Sequence, residues 1–487
     1  MSVHPLLVLG YTPSVIILAS KILSETAKKV VRNEAFIGGL NRKIEKVLEK
    51  ERISRQKQIS NLASAYRNEE LVLVVGSGIS IEHNLPDWNT LLQKLLINAL
   101  MIETEESKER SSDLAKLFTG IFPLSPLLAA RYLQEYYKNS PTSKKNRGSF
   151  EKAIREAIYE EMNLKNESEL FKEIRQLCIA PGKSPNLDSI ITYNYDDILE
   201  TYLSALDIDI PYKTIHFAGA NPPPGVLPIY HVHGFLPQEE SLDEENRIIL
   251  SEDMYHQQYQ ETYNWSNMVQ IEKFRDKTCL FIGISFTDPN LRRLLDIAKS
   301  LRGESGRYHY CIKKHDDAKV VEEILSRVLE QEQEKESSKK ERITAQKLEE
   351  TAKQLIGLKE KFEENDMLSF GVRTIWIKDY TEIPAILKNI RIEDSIKNET
   401  EIILGNKDDQ KAQAISQIIR EHVEKRTTAG ENFDENFIQE VKTISRKIVE
   451  EEFPEEEEYF DFLFDLVIQE IEELEPGKEG EFLREMR

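Results

Sequence analysis

Four short stretches of this sequence carry residue types that could do chemistry together: GSGIS (76–80), TYNYD (192–196), HVHG (231–234) and GIS (283–285). Asn194 offers both a hydrogen-bond donor and an acceptor, and Asp196 a carboxylate. The His233 imidazole titrates near ~6.5 when unperturbed, the range suited to a general base. Gly76 and Gly78 remove the Cβ where something must approach the backbone, and a turn of successive N–H groups suits a phosphate. Each feature also has a plain structural use. The glycines make a tight turn, Asn194 and Asp196 form turns, His233 packs or caps, and Ser285 starts the helix of DPNLRRLL. What separates a site from four coincidences is position, because each stretch ends an apolar run. In an open α/β sheet, ligands bind outside the carboxyl ends of the strands.

The elements that must position these residues are legible as short continuous apolar runs: LVLVV (71–75), SIIT (189–192), PIYHVHG (228–234), CLFIGIS (279–285), YHYCI (308–312) and TIWI (374–377). Continuous rather than alternating apolar character marks strands covered on both faces. Helical periodicity fills the intervals, in TLLQKLLINALMIE, PLLAARYLQEYY, FEKAIREAIYEEM and PNLRRLLDIAKSL. The expectation is a Rossmann-like, mostly parallel sheet with helices on both faces, spanning residues 70–395. Residues 90–185 form a helical cap within it, and 316–366 a highly charged helical insert projecting from it. Residues 1–69 read as a helical N-terminal extension, with Thr12 and Pro13 starting a helix. Residues 396–487 read as an acidic helical domain. From 401 onward there are 25 acidic residues against 11 basic ones.

Composition narrows the function classes. A formal net charge of −21 over 487 residues opposes direct, sequence-independent nucleic-acid binding, which needs clustered Lys and Arg. Three distant cysteines without a C-x-x-C exclude a disulfide framework and a cysteine zinc site. No metal is expected. The apolar N-terminus is interrupted by Gly-Tyr-Thr-Pro-Ser before a membrane-spanning length accumulates, so a soluble cytoplasmic protein without a membrane partner is expected. The dehydrogenase fingerprint G-x-G-x-x-G is absent, since position 81 is Ile.

The ordered set resembles the sirtuin (silent information regulator) family. That family's G-A-G-x-S turn is matched by GSGIS, its I-P-D-F-R by LPDWN (85–89), its T-Q-N-x-D by TYNYD, its H-G by HVHG and its G-T-S by GIS. The matched region runs from about 70 to 385. There are departures. Tyr193 replaces the family's Gln and Asn89 its Arg. Residues 235–278 contain no cysteine, where lysine-deacylating members carry a four-cysteine zinc module. GISFTDPNLRRLL is similar to the sirtuin-like branch found in bacterial anti-phage defence, whose members mostly hydrolyse NAD+. Chain size resembles the subunits of that branch that assemble with a HerA-type hexameric ATPase, and a second nucleotide-sensing domain of the Thoeris type is not evident.

The resemblance implies NAD+ as substrate and a pocket with defined roles. Cleaving the nicotinamide–ribose bond passes through an oxocarbenium-like transition state, so the site must orient the leaving group and admit one nucleophile. Asp196 holds the nicotinamide carboxamide, as the family's residue does. Asn194 positions ribose hydroxyls or the attacking water, and His233 is the general base. Gly76, Ser77, Gly78, Ser80, Gly283 and Ser285 take the phosphates and adenosine ribose, with Asp87, Trp88 and Tyr193 at the cofactor pocket. The expected function is an NAD+ glycohydrolase effector of anti-phage defence, controlled by homo-oligomerisation, a HerA-type ATPase or a phage-derived trigger. The alternatives are an NAD-dependent protein deacylase and a catalytically idle NAD- or ADP-ribose-binding subunit.

Overall fold

In the computed structural model the described residues are 53–392, apart from 122–124, 140–149, 165–167, 179–185, 205–209, 221, 240–241, 243–245, 262, 304–306 and 334–344, together with Ile418, 440–447 and Phe464. The expectations for residues 1–52 and most of 396–487 lie outside these. The chain divides into two compact units, 1–391 and 392–487. In the second, Val441, Ser445 and Phe464 are buried.

Seven parallel strands form the first unit's sheet: β1 (Leu71–Val75), β2 (Ser189–Thr192), β3 (Tyr212–Ile215), β4 (Leu227–His231), β5 (Thr278–Ile282), β6 (His309–Lys314) and β7 (Val372–Ile377). Their spatial order is β3-β4-β2-β1-β5-β6-β7. The parallel, Rossmann-like expectation is borne out, with one strand more than the apolar runs disclosed. β3 is an edge strand whose YKTI is buried only at Ile215, so it lacks the continuous apolar signature.

The pleat divides β1 between two cores. Leu71, Leu73 and Val75 pack in one, with Ile59, Leu62 and Tyr66 of helix α1 (Arg55–Arg67). Val72 and Val74 face the other. The first core continues into helices α2 (Trp88–Thr104), α4 (Pro126–Asn139), α5 (Phe150–Tyr159) and α6 (Glu169–Cys178), which with α3 (Lys108–Ile121) occupy the interval expected to form a cap. Helix α7 (Ile198–Ser204) follows β2, and α8 (Glu252–Gln260) and α9 (Trp265–Asp276) lie between β4 and β5. The second core receives Phe274 of α9 and Leu291, Leu294 and Leu295 of α10 (Pro289–Arg302). Helices α11 (Ala318–Gln333) and α12 (Ala345–Ser369) fill the charged insert before β7. The insert does not simply project. The last turns of α12 are tied back by Lys313–Glu363 (3.4 Å), His315–Glu360 (2.9 Å) and a two-pronged Arg292–Asp366 pair (2.8 Å each). None of the helices among the described residues is long and apolar enough to cross a membrane.

The chain runs from β1 to one side of the sheet through β2 and β4, then returns to the other side at β5. The edge beyond β1 is therefore a topological switch point, where successive connections leave on opposite faces and open a crevice. There the turn after β1 meets the turn after β5 backbone to backbone. Gly76 N–H donates to Ile282 O and Gly78 N–H to Gly283 O, both at 3.1 Å. A Cβ on Gly78 would lie 2.6 Å from Gly283 Cα, and Gly283 itself sits at φ +69°. Replacing Gly78 by Ala forces the two turns apart. A loss of about 1–3 kcal/mol is expected, read as a lower urea midpoint at unchanged m-value.

Candidate functional site

The carboxyl ends of β4, β2, β1 and β5, adjacent in the sheet, open into one cleft of about 800 Å³ including its mouth. Of the residues expected at a site, Gly76, Ser77, Trp88, Tyr193, Asn194, Asp196, His233, Gly283 and Ser285 line it. Gly78, Ser80 and Asp87 do not. Gly78 is occupied by Gly283, so its amide serves the turn and not an anion. Asp87 caps α2, its carboxylate accepting from Thr90 N–H at 2.8 Å. Ser285 is exposed at the rim, its hydroxyl 2.7 Å from that of Thr287. The cap of α10 is Asp288.

Ser80 lies just beneath the lining, fully buried. Its hydroxyl donates to the Asp196 carboxylate (3.3 Å to Oδ2) and accepts from Asn194 Nδ2 at 3.1 Å. The Asn194 amide is thus held by its donor end, and its Oδ1 is buried with no partner. The peptide carbonyl of Asn194 is fixed as well. His231 bridges it to the buried Glu200, with Nδ1 3.1 Å from Asn194 O and Nε2 2.8 Å from the carboxylate, which also accepts from Thr214 at 2.9 Å. Burial raises the Glu200 carboxyl, but His231 and Thr214 bring it below its ordinary value. Asp196 has no such cation in contact. Burial raises its carboxyl to about 6, opposed mainly by the Ile198 amide.

His233 follows β4 and is nearly buried between two aromatic rings. Tyr193 meets it edge-on at 4.7 Å and Tyr255 at 5.9 Å. The Tyr255 ring stacks on Trp88, and the Tyr193 hydroxyl donates to Gln270. Burial pulls the imidazole below its ordinary 6.5, the Asp288 carboxylate opposing the shift. A neutral base near pH 7 is the consequence. Nε2 has no hydrogen-bond partner among the described residues, and Asp288 Oδ2 lies 3.5 Å away.

Asp288, Tyr255, His231 and Glu200 were not among the expected site residues. Asp288 sits in TDPN, where Asp before Pro reads as a helix N-cap, and it is one: Oδ1 accepts from Leu291 N–H at 2.7 Å. Its second oxygen belongs to the cleft. The available signal was its place, shortly after Gly283 on the same sheet edge.

Three buried polar atoms of cleft residues therefore have no hydrogen-bond partner among the described residues: Asn194 Oδ1, His233 Nε2 and the indole Nε1 of Trp88. Orphaned groups in a concave, partly aromatic site call for a ligand. With a neutral imidazole the set is two acceptors and one donor, complementary to sugar hydroxyls and an amide-bearing heterocycle.

Residues 188–345 match the SIR2-like domain family. The NAD(+) hydrolase ThsA of Enterococcus faecium is 24% identical over 335 residues, covering 68% of this chain and 57% of that protein. ThsA of Bacillus cereus (strain MSX-D12) is 24% identical over 354 residues, 72% of this chain and 59% of its own length. ThsA of Cytobacillus dafuensis is 24% identical over 255 residues, 52% and 43%. The chain thus spans less than two thirds of each of these relatives.

Because the folded Asp196 carboxyl binds its proton more tightly than an ordinary one of 3.8, the stability it confers is full below about pH 4. It is lost as pH rises through about 6. Asp196→Asn keeps the acceptor for Ile198 and removes the charge. The variant is expected to exceed the parent in urea stability at pH 8 by about 1–3 kcal/mol, the gap closing at pH 4.

Proposed function

We propose that this sirtuin-like chain is an NAD+ glycohydrolase, releasing nicotinamide and ADP-ribose, and that it serves anti-phage defence by exhausting the cofactor. The observation that carries the reading is the convergence of unpartnered Asn194 Oδ1 and His233 Nε2 with the Asp196 carboxylate in one cleft at the switch point. The hydrolase activity named for the three relatives supports it.

NAD+ supplies a cationic pyridinium whose bond to ribose breaks as positive charge moves onto the sugar. The residues divide the remaining work. Asp196, ionised above about pH 6, faces that charge and offers oxygen to the carboxamide N–H groups. Asn194 Oδ1 accepts from a ribose hydroxyl. Its angle is set by Ser80 on one side and by His231 through the peptide on the other. Trp88, Tyr255 and Tyr193 keep bulk water from the reacting centre, and Trp88 Nε1 donates to a substrate oxygen. His233 takes a proton from the nucleophile. Ser77, Ser285 and Thr287 at the rim meet the phosphates.

An unregulated enzyme of this kind would starve its host, so activity is switched. Self-association, a HerA-type ATPase or a phage-derived trigger is the proposed control. The segment before β1, the charged insert and the acidic unit from 392 onward are the proposed surfaces through which it acts.

The test is incubation of the full chain with NAD+, alone and with an acetyl-lysine peptide, following nicotinamide and ADP-ribose. Release of ADP-ribose without peptide is expected. Strict dependence on peptide, with acyl transfer to ADP-ribose, overturns the reading in favour of a deacylase. His233→Ala is expected to lower turnover about 10²- to 10⁴-fold while calorimetric NAD+ binding persists. Unchanged turnover removes His233 as the base.

A further inference from the structure

The carboxylate of Asp288 has more hydrogen-bonding around it than a helix cap needs. Oδ1 closes the first turn of α10 by accepting from Leu291 N–H at 2.7 Å. Oδ2 accepts from the Tyr255 hydroxyl and looks across 3.5 Å at His233 Nε2. The group lines the cleft and is only 12% exposed. It also sits at the N-terminus of a fourteen-residue helix, where the helix field favours negative charge. Two donors from two elements thus lock a carboxylate whose remaining lone pairs face the same space as the unpartnered nitrogen of the base.

We infer that Asp288 is a second catalytic residue, which together with His233 holds the water that attacks the ribose. This rests on the glycohydrolase reading above. With the imidazole proton on Nδ1, Oδ2 and Nε2 are both acceptors, and their 3.5 Å approach lets one water molecule donate to both. The water's lone pair is then turned away from both, towards the cleft. The bond between the anomeric carbon and the nicotinamide nitrogen breaks first, its electron pair leaving with nicotinamide, and an oxocarbenium ribosyl group remains that either nicotinamide or water can attack. The water oxygen bonds to the anomeric carbon, and its proton passes to His233 Nε2. Asp288 stays unprotonated and stabilises the imidazolium that results, as a carboxylate beside a catalytic imidazole can. Tyr255 is a positioning residue. Its hydroxyl fixes Oδ2, while its ring separates Trp88 from His233.

The assignment makes the carboxylate necessary for water attack but not for bond cleavage, and those two events can be read apart. Asp288→Asn retains a good helix cap, so α10 is expected to stay folded. The experiment measures two rates with the full chain and NAD+: ADP-ribose formation, and exchange of labelled nicotinamide into NAD+, which needs no water. In the variant, ADP-ribose formation is expected to fall about 10²-fold, with exchange kept within about threefold and KM little changed. The titration midpoint of His233, followed by NMR of its ring protons, is expected to drop with the loss of the facing carboxylate. Equal loss of hydrolysis and exchange, or loss of neither, overturns the assignment. An unmoved midpoint also overturns it, because the two groups would then not interact. A parent chain that shows neither rate, with or without peptide, removes the glycohydrolase reading itself, and the assignment goes with it. Tyr255→Phe is expected to lower hydrolysis less than tenfold and to spare exchange.

Discussion

Backbone lying directly on backbone, where the turn after β1 meets the turn after β5, is the constraint on which the rest of the site depends. β1 and β5 are hydrogen-bonded neighbours, yet α2 and α10 that follow them pack in opposite cores. The two connections would diverge from the last ladder bond onward. They stay together because Gly76 and Gly78 present no side chain and Gly283 adopts φ +69°, so amide and carbonyl meet at 3.1 Å. Two branches of the site grow from this joint. The β1 turn continues to Ser80, which holds Asn194 and Asp196. The β5 turn continues to Asp288, which faces His233. A shift at the glycines would therefore change the distance between the Asn194–Asp196 pair and the Asp288–His233 pair.

Burial sorts the ionisable groups around this joint into different tasks. Glu200 and Asp196 are both buried carboxylates within one turn of chain, yet they are driven in opposite directions. Glu200 has His231 at 2.8 Å and serves as a structural anion, positioning the Asn194 peptide. Asp196 is satisfied by neutral donors alone and keeps its carboxyl near the working pH. Environments that push two like groups apart commonly mark a division between support and chemistry. Among the described residues, none lining the cleft is Lys or Arg. In a chain of net charge −21 such a cleft favours a cationic group over an anionic one.

Legibility in the sequence followed which physical quantity each residue reports. Burial on both faces writes itself as continuous apolar runs, so six strands and the long helices were readable, and the half-exposed YKTI of β3 was not. Which residues share a sheet edge follows from topology, so the cleft's polar groups could be gathered from four strand ends. Direction was not legible. Gly78 announced a close approach, but the approaching group is Gly283 and not a phosphate. Ser80 and Asp87 carry the right atoms and turn them into the protein, one beneath the cleft and one onto α2. Asp288 shows the converse. A residue with a sufficient local reason to be aspartate has two oxygens, and the second is free to do something local sequence does not report.

The segment between His233 and β5 supports the cleft from behind its lining, without a cysteine module. Residues 235–278 contain no cysteine, and α8 and α9 occupy the interval. Side-chain amides join them to α10. Asn290 Nδ2 donates to Gln258 Oε1 at 2.6 Å and to Asn267 Oδ1 at 3.0 Å, while Asn267 Nδ2 closes onto Gln258 O and Glu261 O. Gln258, Asn267 and Asn290 are all buried, so each bond is hard to replace by water. From this braced pair of helices come both groups that steady the nucleophile end of the site. Tyr255 of α8 reaches Asp288, and Gln270 of α9 takes the hydroxyl of Tyr193. These helices are therefore continuous with the rings that meet His233, so a displacement of α8 or α9 would reach its imidazole through two tyrosines.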